Sequence, residues 1–148
     1  MSVFDRIVKA EKDLALQDYE NALIQVLIAV AATSRKRYPY PQYKDREAFI
    51  KYLKEEHFQE KLLPVIRGGC IRFQYRNDLV DIETFLYECI RCNLLHEAEL
   101  VSNLKFIEQD EGGFCFSVQD GIFTLSWNLI AILKDIVKTS SENEERLA

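Results

Sequence analysis

The chain has 148 residues, a formal net charge of −5, and 48% hydrophobic against 29% charged residues, a size and balance that predict one folded domain with its own core and exclude a low-complexity chain. The acidic balance argues against a broad nucleic-acid-binding surface. No apolar run approaches the roughly 20 residues that cross a bilayer, and Met1–Leu14 carries six charged residues where a signal peptide has an apolar centre, so a cytoplasmic protein is expected.

In chain order, Ser2 to about Leu16 reads as a helix with Val3, Phe4, Ile7, Val8, Ala10 and Leu14 as its apolar set. Asp18 suits the cap of a second helix, about Tyr19–Arg37, which is apolar nearly all round and so belongs in the middle of a bundle. No Gly or Pro separates the two, so one long helix is the alternative. Arg35, Lys36 and Arg37 suit the negative end of the helix dipole, and Tyr38-Pro39-Tyr40-Pro41 stops the helix. This basic-aromatic cluster reads either as a packed loop or as a place to hold phosphate and stack bases.

Asp45 is expected to open a third helix, Arg46–His57, with Ala48, Phe49, Tyr52 and Leu53 inward and His57 at its exposed end. Phe58–Leu63 reads as a short turn ending at Pro64. Gly68-Gly69 breaks the chain, and Cys70–Tyr75 reads as a short strand or an extended link. Ser34–Arg76 holds 11 basic and 5 acidic residues, a local charge of +6, and leaves −11 for the rest. That segment could face a polyanion; it also fits a solvated mixed surface.

Asp81–Leu100 is the stretch around which the chain is organised. Asp81 caps a helix whose apolar face is Ile82, Phe85, Leu86, Cys89 and Ile90. Further on come Arg91 and, five residues later, His96, one of only two histidines. A cation that holds phosphate beside a group that moves a proton at neutral pH forms a plausible catalytic pair. On a straight helix, however, five residues turn the chain by about 140° and advance it by about 7.5 Å. The two side chains then meet through a loosened helix or across an interface between copies. The plainer alternative pairs Arg91 with Glu88 on the solvent face.

After Leu100 the period shortens. Leu104–Glu108 and Phe114–Val118 read as two strands paired about the Gly112-Gly113 turn, with Ile122–Thr124 adding to an edge. Ser126 caps a last helix built on Leu129, Ile130, Leu133, Ile136 and Val137. The Ser- and Glu-rich segment Thr139–Ala148 is expected to fray. The domain is thus taken as residues 1–138 with a polar tail, 139–148. Cys70, Cys89, Cys92 and Cys115 read as small core residues, because Cys89 and Cys92 lie inside a helix and nothing completes a zinc set. No metal or cofactor is expected, and the chain has no phosphate-binding glycine loop, nucleophile elbow or H-E-x-x-H.

The run Leu86-Tyr87-Glu88-Cys89-Ile90-Arg91-Cys92-Asn93-Leu94-Leu95-His96-Glu97 resembles the signature helix of HEPN domains: an arginine, four to six residues, then a histidine, late in a helical bundle. The runs at Asp18–Ile24, Ala31–Pro39 and Arg46–Leu53 look like bundle helices of the same class. The resemblance implies a mainly α fold, a HEPN-like bundle of about five helices, here with a small β-hairpin inserted before the last helix. It further implies a metal-independent endoribonuclease, as in toxins of toxin–antitoxin or phage-defence systems, working as a homodimer on RNA and restrained by an antitoxin such as a nucleotidyltransferase-like protein. By position, Arg91 would hold the scissile phosphate and His96 would act as general acid and base, with Asn93, Arg35 and Arg37 on the substrate. The family often has a polar residue directly after the arginine; here it is Cys92, with Asn93 one later. A non-catalytic interaction or nucleotide-binding module on the same fold is the alternative. Ile90, Leu94 and Leu95 add apolar surface beside the pair, which predicts a two-fold dimer with Arg91 and His96 at the contact edge.

Overall fold

The computed structural model describes the backbone of residues 2–62, 72–75, 78–95, 104–107, 116–119, 122–126 and 128–143, and side chains over 2–62, 81–88 and 128–143. These residues are mainly helical. Two helices, α1 (Val3–Ala15) and α2 (Tyr19–Arg37), replace the single long helix that the sequence left open. Ser2 and Asp5 close a reciprocal capping box on α1 at 3.1 Å each way. Between the helices Gln17 takes a left-handed φ of 59°, and Asp18 accepts from the Asn21 N–H at 3.3 Å to start α2.

The α2 helix is the axis. Ala22, Leu23, Ile24, Val26, Leu27, Ala29 and Val30 are all buried, and the helix packs against α1, α3, α5 and α6. Its buried hydroxyls stay satisfied within the helix: Thr33 Oγ1 donates to Ala29 O at 2.9 Å and Ser34 Oγ to Ala31 O at 2.8 Å. The next helix, α3, spans Asp45–Glu55 and buries the expected Ala48, Phe49, Tyr52 and Leu53. Its N-cap is Lys44, without a side-chain hydrogen bond, so Asp45 lies inside the first turn rather than before it. Phe58–Leu62, read as a turn, is a short helix, α4, because Phe58 and Leu62 reach the core one turn apart.

Two antiparallel strands, β1 (Arg72–Tyr75) and β2 (Asp78–Asp81), lead into α5 (Ile82–Leu95). Asp81 closes β2 and caps α5, accepting from the Thr84 N–H at 3.0 Å and the Thr84 hydroxyl at 2.6 Å. Ile82, Phe85 and Leu86 are fully buried, as the helical spacing predicts.

A three-stranded sheet precedes the last helix: β3 (Leu104–Ile107), β4 (Phe116–Gln119) and β5 (Ile122–Ser126). Its order is β3-β5-β4, so the expected pairing of 104–108 with 114–118 does not form. Instead β5 takes the centre, parallel to β3 and antiparallel to β4. The residues that separate β4 from β5, Asp120 and Gly121, are a dipeptide favoured in two-residue hairpin loops. That signal outweighs Gly112-Gly113. The last helix, α6 (Asn128–Thr139), buries Leu129, Ile130, Leu133, Ile136 and Val137.

Of the tail expected to fray, residues 140–143 are held in the structure, and residues 144–148 fall outside the described residues. Ser140 is 2% and Asn143 3% exposed, on a single 3-10 turn over Ser141–Asn143. Asn143 Nδ2 donates to Thr33 Oγ1 and to Val137 O at 3.0 Å each, and its Oδ1 accepts from Lys36 Nζ at 3.2 Å. A buried amide that joins three partners fixes a polar segment that composition alone would leave loose. Asn143→Ala should therefore cost about 2 kcal/mol, since two buried hydrogen bonds are lost, although Thr33 Oγ1 keeps its bond to Ala29 O and Val137 O still accepts from the Ser140 N–H. Thermal unfolding should show a Tm lower by about 5–10 °C.

Candidate functional site

Arg91 and Asn93 lie on α5, whose described backbone ends at Leu95, directly before His96. The side chains of Arg91 and Asn93, and all of His96, fall outside the described residues, as do the four cysteines' side chains. What the structure does fix is how α5 is held. Three contacts align it with α3: Lys54 Nζ to Asp81 at 3.3 Å, the Phe49 and Tyr87 rings edge-on at 5.5 Å, and Arg46 Nη1 to Glu88 at 2.6 Å. The α3 partners descend from 54 to 46 as the α5 partners climb from 81 to 88, so the helices run antiparallel. Position 91 lies three residues, about 4.5 Å, further along α5. It also shares the i, i+3 stripe with Glu88. That carboxylate, the partner in the plainer reading of Arg91, is held by Arg46 on α3.

On the outward side of α3 lies an open groove of about 590 Å³, lined by Tyr43, Arg46, Ile50, Lys51 and Lys54, together with Glu47 and Glu55. The sequence reading named only the inward face of α3; this groove is its complement at the same 3–4 residue spacing. Each of its cations has a carboxylate partner: Arg46 pairs with Glu88, Lys51 lies 3.6 Å from Glu55 and Lys54 3.3 Å from Asp81. The Tyr38 hydroxyl, helped by Lys51, holds the Glu55 carboxyl below its ordinary range against the opposing effect of burial.

The two arginines expected to touch substrate have other work. Arg37 reaches Glu142 through Nε and Glu56 through Nη2, both at 2.6 Å, and stacks over the Tyr52 ring at 4.8 Å. Burial alone would lower its pKa, but the bonds to Glu142 and Glu56 outweigh it and hold the guanidinium charged. Arg37 is thus a clamp that joins α2, α3 and the turn after α6. Arg35 pairs with Asp45 at 2.6 Å, donates to Tyr43 O at 3.2 Å and lies 5.2 Å over the Tyr40 ring. It holds the Tyr38–Lys44 loop in place. Of that loop Tyr38 is packed, whereas Tyr40 is 70% exposed.

For the clamp, Glu142 is the sensitive member. Burial works against its charge, yet Arg37 and the Ser141 hydroxyl bring its pKa below the ordinary value. A depressed folded pKa contributes stability that is present above the unfolded value of about 4.3 and lost as pH falls through the folded one. Arg37→Met should cost about 2–3 kcal/mol at pH 7, less than a wholly buried pair because Arg37 is 21% exposed. Glu142→Gln should be destabilising at pH 7, and its gap from wild type in denaturant unfolding should close as the pH falls below about 4.

A second carboxylate behaves the opposite way. Glu83, in the first turn of α5, is fully buried, and its oxygens accept from Gln59 Nε2 at 2.7 and 2.9 Å. Burial raises its pKa, and the neutral amide only partly offsets this. A raised folded pKa means stability that is lost as pH rises through it. Glu83→Gln should therefore raise Tm by about 2–4 °C at pH 7–8 and leave it unchanged near pH 4. Among the described residues no group of His, Cys, Asp and Glu could hold a metal ion, and no helix is long and apolar enough to cross a membrane.

Compared with known proteins, residues 2–147 match the family Rv1289, a span that runs through the helices, the sheet and the turn after α6 alike. No curated protein and no solved structure matches the chain.

Proposed function

The chain belongs to the Rv1289 family, and within that frame we propose that it is a HEPN-like, metal-independent endoribonuclease. The supporting observation is the R-x4-H spacing of Arg91 and His96 on, and directly after, a helix anchored by a capped first turn and by core residues Ile82, Phe85 and Leu86. Arg91 binds the scissile phosphate and stabilises its developing charge. Neutral His96 takes the proton of the ribose 2′-OH as that oxygen attacks phosphorus. The 2′-O–P bond forms, the P–O5′ bond breaks, and a protonated His96 of a second copy gives its proton to the departing 5′ oxygen. The step consumes no water and leaves a cyclic phosphate. Ile90, Leu94 and Leu95 supply the apolar contact of the dimer, and Asn93 lies toward the substrate. A cytoplasmic toxin restrained by a partner protein is the corresponding biological role.

A specific observation favours a second reading, a non-catalytic interaction module of the same fold. Arg37, expected on the substrate, is consumed by carboxylates, and Cys92 stands where a polar residue often follows the arginine.

The test is cleavage of single-stranded RNA in EDTA. Arg91→Ala and His96→Ala should each lower kcat/KM by at least about 100-fold with helix content unchanged, and mixing the two variants should not restore activity, because a mixed dimer keeps one His96 where the step uses two. Wild-type protein that leaves RNA intact, or His96→Ala that cuts as well as wild type, rules the nuclease out in favour of the module.

A further inference from the structure

The groove on α3 carries charges of both signs. Arg46, Lys51 and Lys54 stand among Glu47 and Glu55, while Glu88 and Asp81 take up Arg46 and Lys54 from the α5 side. A mixed surface of this kind does not select a polyanion; it suits a partner that carries both signs in a complementary order. The floor is apolar, with Tyr43 and Ile50 half-buried two helical turns apart. Of the charged residues that line it, Glu47 is the one that makes no ion pair among the described residues. The inward face of α3 is spent on the core through Ala48, Phe49, Tyr52 and Leu53.

We propose that the outward face of α3 docks the same face of a second copy, antiparallel about a two-fold axis at Ile50, with Glu47 of each copy set between Lys51 and Lys54 of the other. Charge complementarity carries the argument, because the face is complementary to itself in that order. With Ile50 on the axis, a residue three before it comes level with one three after it in the other copy. Position 47 thus faces position 53, which Lys51 and Lys54 bracket. Measured from Ile50, positions 47, 51 and 54 lie at about 60°, 100° and 40° around the helix, all to one side. A two-fold axis in the contact plane keeps that side common to both copies, so anion and cations meet, and symmetry forms the contact twice. Ile50 meets Ile50 of the second copy, and the lysine stems cover the apolar floor. The cations have capacity to spare: an ammonium has three donors, and Lys51 and Lys54 each face one carboxylate of their own chain. This contact is separate from the α5 dimer of the nuclease reading and does not rest on it.

Sedimentation velocity on the full chain tests it. Glu47→Lys sets a cation against two cations, and Lys51→Glu sets a carboxylate against Glu47. Each should raise the dissociation constant of the contact at least about tenfold and lower the sedimenting mass, with helix content by circular dichroism kept, since both positions are exposed. An equimolar mixture of the two variants should recover association, because the mixed contact again sets opposite charges together; loss of fold stability alone would not recover on mixing. The mass of each single variant should fall to that of a dimer where the α5 contact also forms, and to that of one chain where it does not, so the two contacts are read separately. Wild-type protein that sediments as a single chain at every concentration overturns the α3 contact. So do variants that sediment like wild type, the mark of an α5 dimer alone or of a groove that takes a different partner, and so does a mixture that fails to recover.

Discussion

A helix buried on nearly every side must be neutral along its buried length, and α2 carries no charged side chain between Glu20 and Arg35. Four helices pack on that neutral stretch. Where the charges resume, at Arg35, Lys36 and Arg37, the helix is still half enclosed, so each cation needs a partner close by. Arg35 takes Asp45, Lys36 takes the Asn143 amide and Arg37 takes Glu56 and Glu142. These partners come from the first turn of α3, the end of α3 and the turn after α6. The charged end of one helix thereby gathers the rest of the bundle, and it explains why the polar C-terminal segment is ordered through Asn143.

With α3 fixed from that side, its two faces have separate tasks. The inward one meets α5 through Phe49 and the Tyr87 ring, while Arg46 and Lys54 reach round to Glu88 and Asp81. These charge pairs are half exposed and individually worth little. Their value is alignment: together with the core they set α5 antiparallel to α3. Asp81 serves twice, as cap of α5 and as partner of Lys54. Burial opposes its charge, but the Thr84 bonds and Lys54 outweigh it and lower its pKa.

Local rules made much of this legible. The apolar spacing of α6 predicts its five buried residues, and Asp18 and Asp81 act as the caps their type and place suggest. What local rules do not carry is partner choice at long range. Gly112-Gly113 drew attention to a pairing across it, whereas β5 lies between the two segments and pairs with both. The polar tail looked loose because Asn143 finds Thr33, 110 residues away, and no composition reports such a contact. Arg37 read as a phosphate ligand because a run of cations at a helix end looks free in sequence; its carboxylates come from two other elements. The groove on α3 was within reach, since it is what remains once Ala48, Phe49, Tyr52 and Leu53 are turned inward. Of the proposed pair, the structure describes the backbone of Arg91 on α5, and His96 falls outside the described residues.

The central claim is that Arg91 and His96 cut RNA by internal attack of the ribose hydroxyl, a chemistry that leaves its mark on the ends it makes. Mass spectrometry of RNA fragments produced in EDTA reads that mark directly. The account predicts a 2′,3′-cyclic phosphate on one fragment and a free 5′-hydroxyl on the other. Fragments ending in a 3′-hydroxyl and a 5′-phosphate would mean that water, not the neighbouring ribose oxygen, attacked phosphorus, and would contradict it.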